Sequence, residues 1–178
     1  MIGALPPNLL ARVLDPNFAN ARSVQRASLV QTGNGNSPRL AEPQSHLRLE
    51  ADCGFEAPCY IAATGHLNAV EYNITYNQML YAALAVAVQH RLVPELRHWD
   101  LDEFFRRQLP DVLIAEYHAR FLRPMQSAAY RAWFELADVQ VGARGDRIWL
   151  RTHAGCSDRA GGEGRIDATI ALVSATTP

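Results

Sequence analysis

Residues 68–90, NAVEYNITYNQMLYAALAVAVQH, predict a long helix that is enclosed by protein. Asn68 is a favoured helix N-cap residue, and Glu71 stands three positions later, as in a capping box. Residues 79–88 are apolar on every face of the helix, so other elements must surround them. A run of this length is too short to span a bilayer and is typical of a buried core helix.

Strand patterns lie on both sides of this helix. In residues 46–53 apolar and polar side chains alternate, which predicts a half-buried strand. Beyond the helix, an amphipathic helix is predicted over residues 101–108. Four later runs are rich in β-branched or aromatic residues and predict strands over 112–122, 129–138, 147–153 and 165–175. The simplest packing for this order is an α+β fold, with an antiparallel sheet wrapped around the long central helix.

The chain is expected to form a single domain over residues 1–178, because its length fits one hydrophobic core and no internal repeat is visible. A short helix is predicted over residues 6–14. Residues 31–44 are rich in Gly, Asn, Ser and Pro, and they predict a flexible loop.

Composition excludes several classes of chemistry. All 17 basic residues are Arg, so there is no lysine for Schiff-base chemistry, for pyridoxal phosphate or for a Walker-type phosphate loop. A Gly-x-Ser-x-Gly elbow is missing as well, which excludes an α/β-hydrolase triad. The six His and three Cys have no metal-type spacing, so neither a metal nor another cofactor is expected. The few cysteines and the lack of a signal peptide in residues 1–10 predict a cytoplasmic protein.

One string carries a family resemblance. Residues 60–71 read Tyr-Ile-Ala-Ala-Thr-Gly-His-Leu-Asn-Ala-Val-Glu, and Tyr76, Asn77, Gln78 and Tyr81 follow. This string resembles the FcoT-like thioesterases, which are hotdog-fold proteins. The similarity extends through residues 11–16 and 119–124 and covers most of the chain, from about residue 9 to residue 172.

The resemblance implies a hotdog fold and an acyl thioester substrate. The family includes enzymes that add glycine to an α,β-unsaturated acyl group on an acyl carrier protein and then release the product by hydrolysis. We therefore expect this Michael addition, with an acyl carrier protein and glycine as partners and a homodimer or higher homo-oligomer as the assembly. Two alternatives stay open: a simple long-chain fatty acyl-CoA thioesterase, and a non-catalytic accessory protein that binds an acyl carrier.

Three residues are predicted to be catalytic: His66, Asn68 and Tyr60. The resemblance implicates Tyr60 and Asn68, together with a family Tyr that is replaced here by Asn17. His66 precedes the helix N-terminus, where the helix dipole favours a neutral imidazole, and glycine needs a base to deprotonate its amine. The amide of Asn68 and the N–H groups of the first helical turn are candidates to hold an enolate or a tetrahedral oxyanion.

The predicted substrate-binding residues are Asn17, Gly65, Glu71, Asn77 and Arg120. A capping role is favoured for Glu71 over a role as a base. Asn77 shares a helix face with Asn73, which predicts either a lined pocket or a subunit contact. For the glycine carboxylate, Arg120 is the candidate partner. The adjacent pair at residues 106 and 107 either meets an acidic carrier protein or forms the solvated face of its helix.

Overall fold

The computed structural model describes residues 3–32, 46–59, 61 and 64–173, which form one sheet and three α-helices. The strands are β1 (Gly3–Ala4), β2 (Val24–Thr32), β3 (Leu47–Cys53), β4 (Val112–Arg123), β5 (Tyr130–Val141), β6 (Arg147–Ser157) and β7 (Glu163–Val173). The helices are α1 (Pro7–Leu14), α2 (Ala69–Gln89) and α3 (Leu101–Arg107), with short 3-10 turns at Ala19–Ala21 and Pro94–Leu96. Within these described residues, no helix has the length and hydropathy needed to cross a membrane.

The sheet is antiparallel throughout, in the order β1-β2-β3-β5-β6-β7-β4. Strands β5, β6 and β7 follow each other by hairpins, whereas β4 pairs with β7 at the far edge. Strand β4 is therefore an edge strand, and its burial pattern is exposed along most of its length. This is the architecture expected for a hotdog fold.

Helix α2 forms the centre of the core. Its residues from Met79 to Val88 are buried except for the partly exposed Tyr81, so the prediction of an enclosed helix is confirmed. The small side chains of Ala82 and Ala85 let the sheet approach closely, and both are completely buried. The sheet supplies alternating apolar residues that face this helix, such as Leu49 on β3 and Phe134 on β5, which stand opposite each other in register.

A buried amide joins the segment before β2 to this helix. The Gln78 Oε1 accepts hydrogen bonds from the backbone N–H groups of Ser23 (3.0 Å) and Val24 (3.1 Å). Its Nε2 donates to the carbonyl of Ala21 (2.7 Å) and to Asn17 Oδ1 (3.2 Å). Since the side chain is fully buried, these bonds satisfy polar groups that water cannot reach.

Most of the predicted elements are confirmed with shifts of a few residues at their ends. No strand was predicted between the first helix and residue 46, but β2 occupies Val24–Thr32. Irregular pairing near Gln25 and Val30 disturbs the alternation, so the buried residues fall at Val24, Ala27 and Leu29. The predicted loop over 31–44 also began too early, since residues 31 and 32 end β2; the rest of it lies outside the described residues.

Candidate active site

A pocket of about 340 Å³ lies at the N-terminus of α2. One wall comes from the helix entrance and the other from the end of β4. The lining residues are His66, Leu67, Asn68 and Ala69 on the first wall, and Phe121, Leu122, Arg123 and Pro124 on the second. The structure thus brings His66 and Asn68, two of the predicted catalytic residues, onto one concave surface.

The loop before α2 sets the position of His66. Gly65 has a φ of +72°, a left-handed conformation that glycine adopts at no steric cost, and it turns the chain into the helix. The Thr64 hydroxyl donates to the carbonyl of His66 (2.9 Å), and the buried Leu67 donates its N–H to the carbonyl of Met125 (2.8 Å). Both bonds anchor the peptide unit between His66 and Leu67, while the His66 side chain stays exposed at the pocket wall.

Asn68 is the N-cap of α2, as predicted. Its Oδ1 accepts hydrogen bonds from the N–H groups of Val70 (3.0 Å) and Glu71 (3.1 Å). Because the cap needs the oxygen end of the amide, the Nδ2 end must point the other way. Nδ2 is buried and has no hydrogen-bond partner in the described part of the chain. The side chain therefore keeps a buried amide group whose two N–H bonds have no acceptor among the described residues.

The cap also determines which backbone donors are left in the first helical turn. The N–H groups of Val70 and Glu71 are occupied by Asn68, and that of Tyr72 donates to the carbonyl of Asn68 (2.9 Å). Among the described residues, no hydrogen-bond acceptor is found for the N–H of Ala69, which lines the pocket. Of the helix amides expected to hold an oxyanion, this one alone is free in the described structure.

Glu71 completes the capping box. Its carboxylate accepts from the N–H of Asn68 (3.2 Å) and from that of Cys59 (3.4 Å), and the residue is only 1% exposed. The favoured capping role is thereby confirmed. The carboxylate is not on the lining of the pocket, so its predicted contact with substrate is not supported by this arrangement.

The second wall results from an irregularity in β4. Phe121 pairs with Gly164 and Arg123 with Glu163, so Leu122 is an extra residue in the ladder. In a regular strand, consecutive side chains point to opposite faces, and a bulge of this kind re-aims them. Three consecutive residues consequently line one pocket, and the Phe121 ring also packs on Tyr72 with centroids 5.1 Å apart.

The structure places the other predicted substrate-binding residues away from this lining. Asn17 belongs to the Gln78 cluster described above and also donates to the carbonyl of Leu14 (3.2 Å). Asn77 donates to the carbonyl of Asn73 (3.0 Å) within the helix. Arg120 is exposed and donates through Nε to His118 Nε2 (3.0 Å). Tyr60 lies outside the described residues, so its predicted catalytic role stays a prediction.

The arginine pair at Arg106 and Arg107 is engaged within its own helix. Both guanidinium groups form ion pairs with Glu103, and that of Arg107 also pairs with Asp111 (2.9 Å). Arg107 further lies over the Trp99 ring, 5.5 Å from its centroid. Arg106 therefore lies on the solvated face of its helix, whereas the side chain of Arg107 is only 16% exposed. Neither arrangement supports contact with a carrier protein.

None of the three cysteines lines the pocket. Burial raises the pKa of the thiols of Cys53 and Cys156 well above the ordinary range, and it also raises the pKa of the partly exposed Cys59. A raised pKa lowers the fraction of reactive thiolate at neutral pH. The cysteines therefore have neither the position nor the protonation state of a nucleophile for this site.

A second, larger pocket of about 710 Å³ lies near β1 and β2 at the opposite edge of the sheet. Its charged residues pair with each other: Arg26 with Asp52 (3.3 Å), and Arg131 with Glu50 and Asp52 (3.8 Å each). The pocket at α2 has unused donors instead. We therefore take the smaller pocket as the candidate active site.

Comparison with protein families identifies the chain's relatives. A model of the FcoT-like thioesterase domain matches residues 12–172. The chain belongs to the FcoT-like thioesterase family. Its relatives include a protein from Streptomyces coeruleorubidus named (2E)-enoyl-[ACP] glycyltransferase, which is 36% identical over 133 residues, or 74% of this chain and 73% of the relative. A Mycobacterium marinum protein of the same name is 32% identical over 148 residues, or 83% of this chain and 74% of the relative.

Solved structures confirm the hotdog fold of this FcoT-like chain. A protein described as a thioesterase from Shewanella oneidensis superimposes with a TM-score of 0.53 at 15% identity, covering 94% of this chain and 99% of the other. A thioesterase family protein from Silicibacter pomeroyi gives a TM-score of 0.50 at 16% identity, covering 93% and 98%. At such low identity the likeness concerns the fold alone.

Proposed function

We propose that this chain adds glycine to a (2E)-enoyl group carried on an acyl carrier protein and then hydrolyses the thioester. Two relatives named (2E)-enoyl-[ACP] glycyltransferase match it at 36% and 32% identity over most of their length. The observation that carries the proposal is the pocket itself, which His66, Asn68 and Ala69 line together. Among the described residues, neither the N–H of Ala69 nor the buried Nδ2 of Asn68 has a hydrogen-bond acceptor. Conjugate addition to a thioester requires a base and a site for developing negative charge.

The addition step uses three groups on the α2 wall of the pocket, from His66, Asn68 and Ala69. His66 removes a proton from the ammonium group of glycine, and the freed amine forms a bond to the β-carbon of the enoyl group. The electrons of the carbon–carbon double bond move to the α-carbon and the thioester oxygen, giving an enolate. The Nδ2 of Asn68 and the N–H of Ala69 donate to that oxygen. His66 then returns its proton to the α-carbon, and the product is a 3-[(carboxymethyl)amino]acyl thioester.

Hydrolysis uses the same groups again. Neutral His66 takes a proton from water as the water oxygen attacks the thioester carbonyl, and the two N–H donors hold the tetrahedral oxyanion. The carrier thiolate leaves and receives the proton from His66, which frees the 3-[(carboxymethyl)amino] fatty acid. The alternative base for water, Glu71, is buried and occupied by two backbone N–H groups.

The direct test is incubation of the protein with glycine and a crotonyl or longer enoyl thioester on an acyl carrier protein. Mass spectrometry should detect the glycine adduct on the carrier and then the free adduct acid. Release of the simple enoic acid with no adduct would identify a plain thioesterase, as would equal turnover of a saturated acyl-CoA. Tight acyl binding with no turnover of either substrate would identify an accessory protein.

The assembly we propose is a homodimer formed along β4. This strand has an edge with no neighbour in the described sheet and exposes Leu113 (45%), Ile114 (36%) and Leu122 (51%). A long apolar edge strand is a template for pairing with another chain. A second copy of this chain would cover that edge close to the pocket. Sedimentation analysis should give a dimer for the wild type and a monomer for Leu113→Lys; a monomeric wild type would contradict the proposal.

A further inference from the structure

We infer that Arg123 binds the carboxylate of glycine in the candidate active site. This inference deepens the proposed function and rests on it. Arg123 lies on the β4 wall of the pocket, opposite the wall that carries His66 and Asn68. Because a single methylene separates the amine of glycine from its carboxylate, a group that holds the carboxylate must share the pocket with the base.

The guanidinium group of Arg123 has no hydrogen-bond or ion-pair partner among the described residues. In the described ranges, the side chains of four arginines form neither a hydrogen bond nor an ion pair: Arg91, Arg123, Arg144 and Arg159. Of these four, only Arg123 lines the candidate active site. A guanidinium group presents a fork of N–H donors that matches a carboxylate with two parallel hydrogen bonds.

The bulge in β4 explains why Arg123 rather than Arg120 reaches the pocket. Arg120 stands opposite Arg165 in the regular part of the ladder, and its Nε donates to His118. After the extra residue Leu122 the alternation is broken, and Arg123 joins the lining. Arg123 Nη1 lies beside the turn at Gly161, 3.8 Å from the position that a Cβ would take there. Arg120, predicted from sequence for this role, is thus replaced by its neighbour on the same strand.

The test compares Arg123→Gln with wild type in the complete reaction, at saturating enoyl carrier and varied glycine. Loss of a paired charge-assisted contact should raise the KM for glycine about 10- to 100-fold. The KM for glycine should rise far more than the KM for the enoyl carrier. Arg123→Lys keeps the charge but not the fork, so its KM for glycine should lie between the two. The matched control is Arg144→Gln, another unpaired arginine, in the turn between β5 and β6.

A competing amine makes the result specific for the carboxylate. Glycinamide has the same amine and methylene but a neutral amide, so wild type should prefer glycine over it. Arg123→Gln should lose that preference. An unchanged preference, or a higher KM for the carrier in place of glycine, would overturn the inference, the latter by assigning Arg123 to the phosphate of the carrier arm. If wild type itself formed no adduct, the proposed function would fail instead, which keeps the two failures distinct.

Discussion

Replacing Asn68 separates the two roles that its amide has in the structure. Asn68→Ser keeps an oxygen that can cap the N–H groups of Val70 and Glu71, but it removes the buried Nδ2 donor. Asn68→Ala removes both. The comparison of wild type with Ser therefore isolates the donor, and the comparison of Ser with Ala isolates the cap.

The magnitudes follow from the contacts. A helix cap contributes about 1 kcal/mol, so Asn68→Ala should be less stable than Asn68→Ser by about that amount. In a chain of this size, 1 kcal/mol corresponds to a Tm difference of about 2–4 °C. Nδ2 has no partner among the described residues, and an unsatisfied buried donor costs about 1–3 kcal/mol. Asn68→Ser should consequently be at least as stable as wild type.

Catalysis should follow a different order from stability. Removing one donor to an oxyanion typically lowers kcat by about 10²–10³-fold, and both variants lose that donor. The assay is the rate of adduct formation from an enoyl carrier and glycine, measured beside thermal unfolding of the same samples. If Asn68→Ser kept the wild-type rate, Asn68 would be a structural cap only, and the proposed role would be wrong. The same conclusion would follow if the rates of the two variants followed the same order as their Tm values.

Three further predictions concern stability. Gln78→Leu should lower the free energy of unfolding by about 3 kcal/mol or more, because it leaves two buried backbone N–H groups and a carbonyl without partners; urea unfolding with an unchanged m-value checks this. Gly54→Ala should cost about 1–3 kcal/mol, since the added Cβ would lie 2.2 Å from the carbonyl oxygen of Ala128. Its control is Gly3→Ala, where that atom meets nothing within 4 Å, and equal stability of the two variants would contradict the reasoning. Backbone N–H donors hold the pKa of Asp158 below its usual range, so its carboxylate stabilises the fold above the unfolded pKa, and this contribution disappears as pH falls through the folded one. The stability difference between wild type and Asp158→Asn should therefore be present at pH 7 and vanish in acid; a pH-independent difference would exclude the charge as its cause.

The sequence was sufficient to predict α2 and the later strands because their periodicity is regular. Strand β2 was not predicted because its buried residues follow an irregular spacing, so neither helix nor strand periodicity is visible in the sequence. An irregularity of the same kind in β4 made one wall of the pocket impossible to predict from the sequence. No local pattern indicates that Leu122 is an extra residue, because a bulge is defined only against its partner strand β7.

The two walls of the pocket differ in how well their residues could be predicted from the sequence. His66 and Asn68 are close in the chain, and the capping motif fixes their relation to the helix entrance. Arg123 lies at the pocket only because of tertiary structure. The hydrogen bond from the N–H of Leu67 to the carbonyl of Met125 (2.8 Å) joins the segment after β4 to the entrance of α2. Asn17 was expected at the site through the family resemblance alone. In the structure its Oδ1 accepts a hydrogen bond from Gln78.

Helix α2 itself contains an internal comparison that bears on the function. Gln78 and Asn68 are both amide side chains on or at the start of this helix, and both have buried polar atoms. Each polar atom of Gln78 has partners, which is the pattern of a residue selected for stability. Asn68 satisfies only its oxygen and leaves a buried donor unused at the wall of a pocket. Under the proposed function, a thioester oxygen in the pocket is the acceptor that this amide lacks.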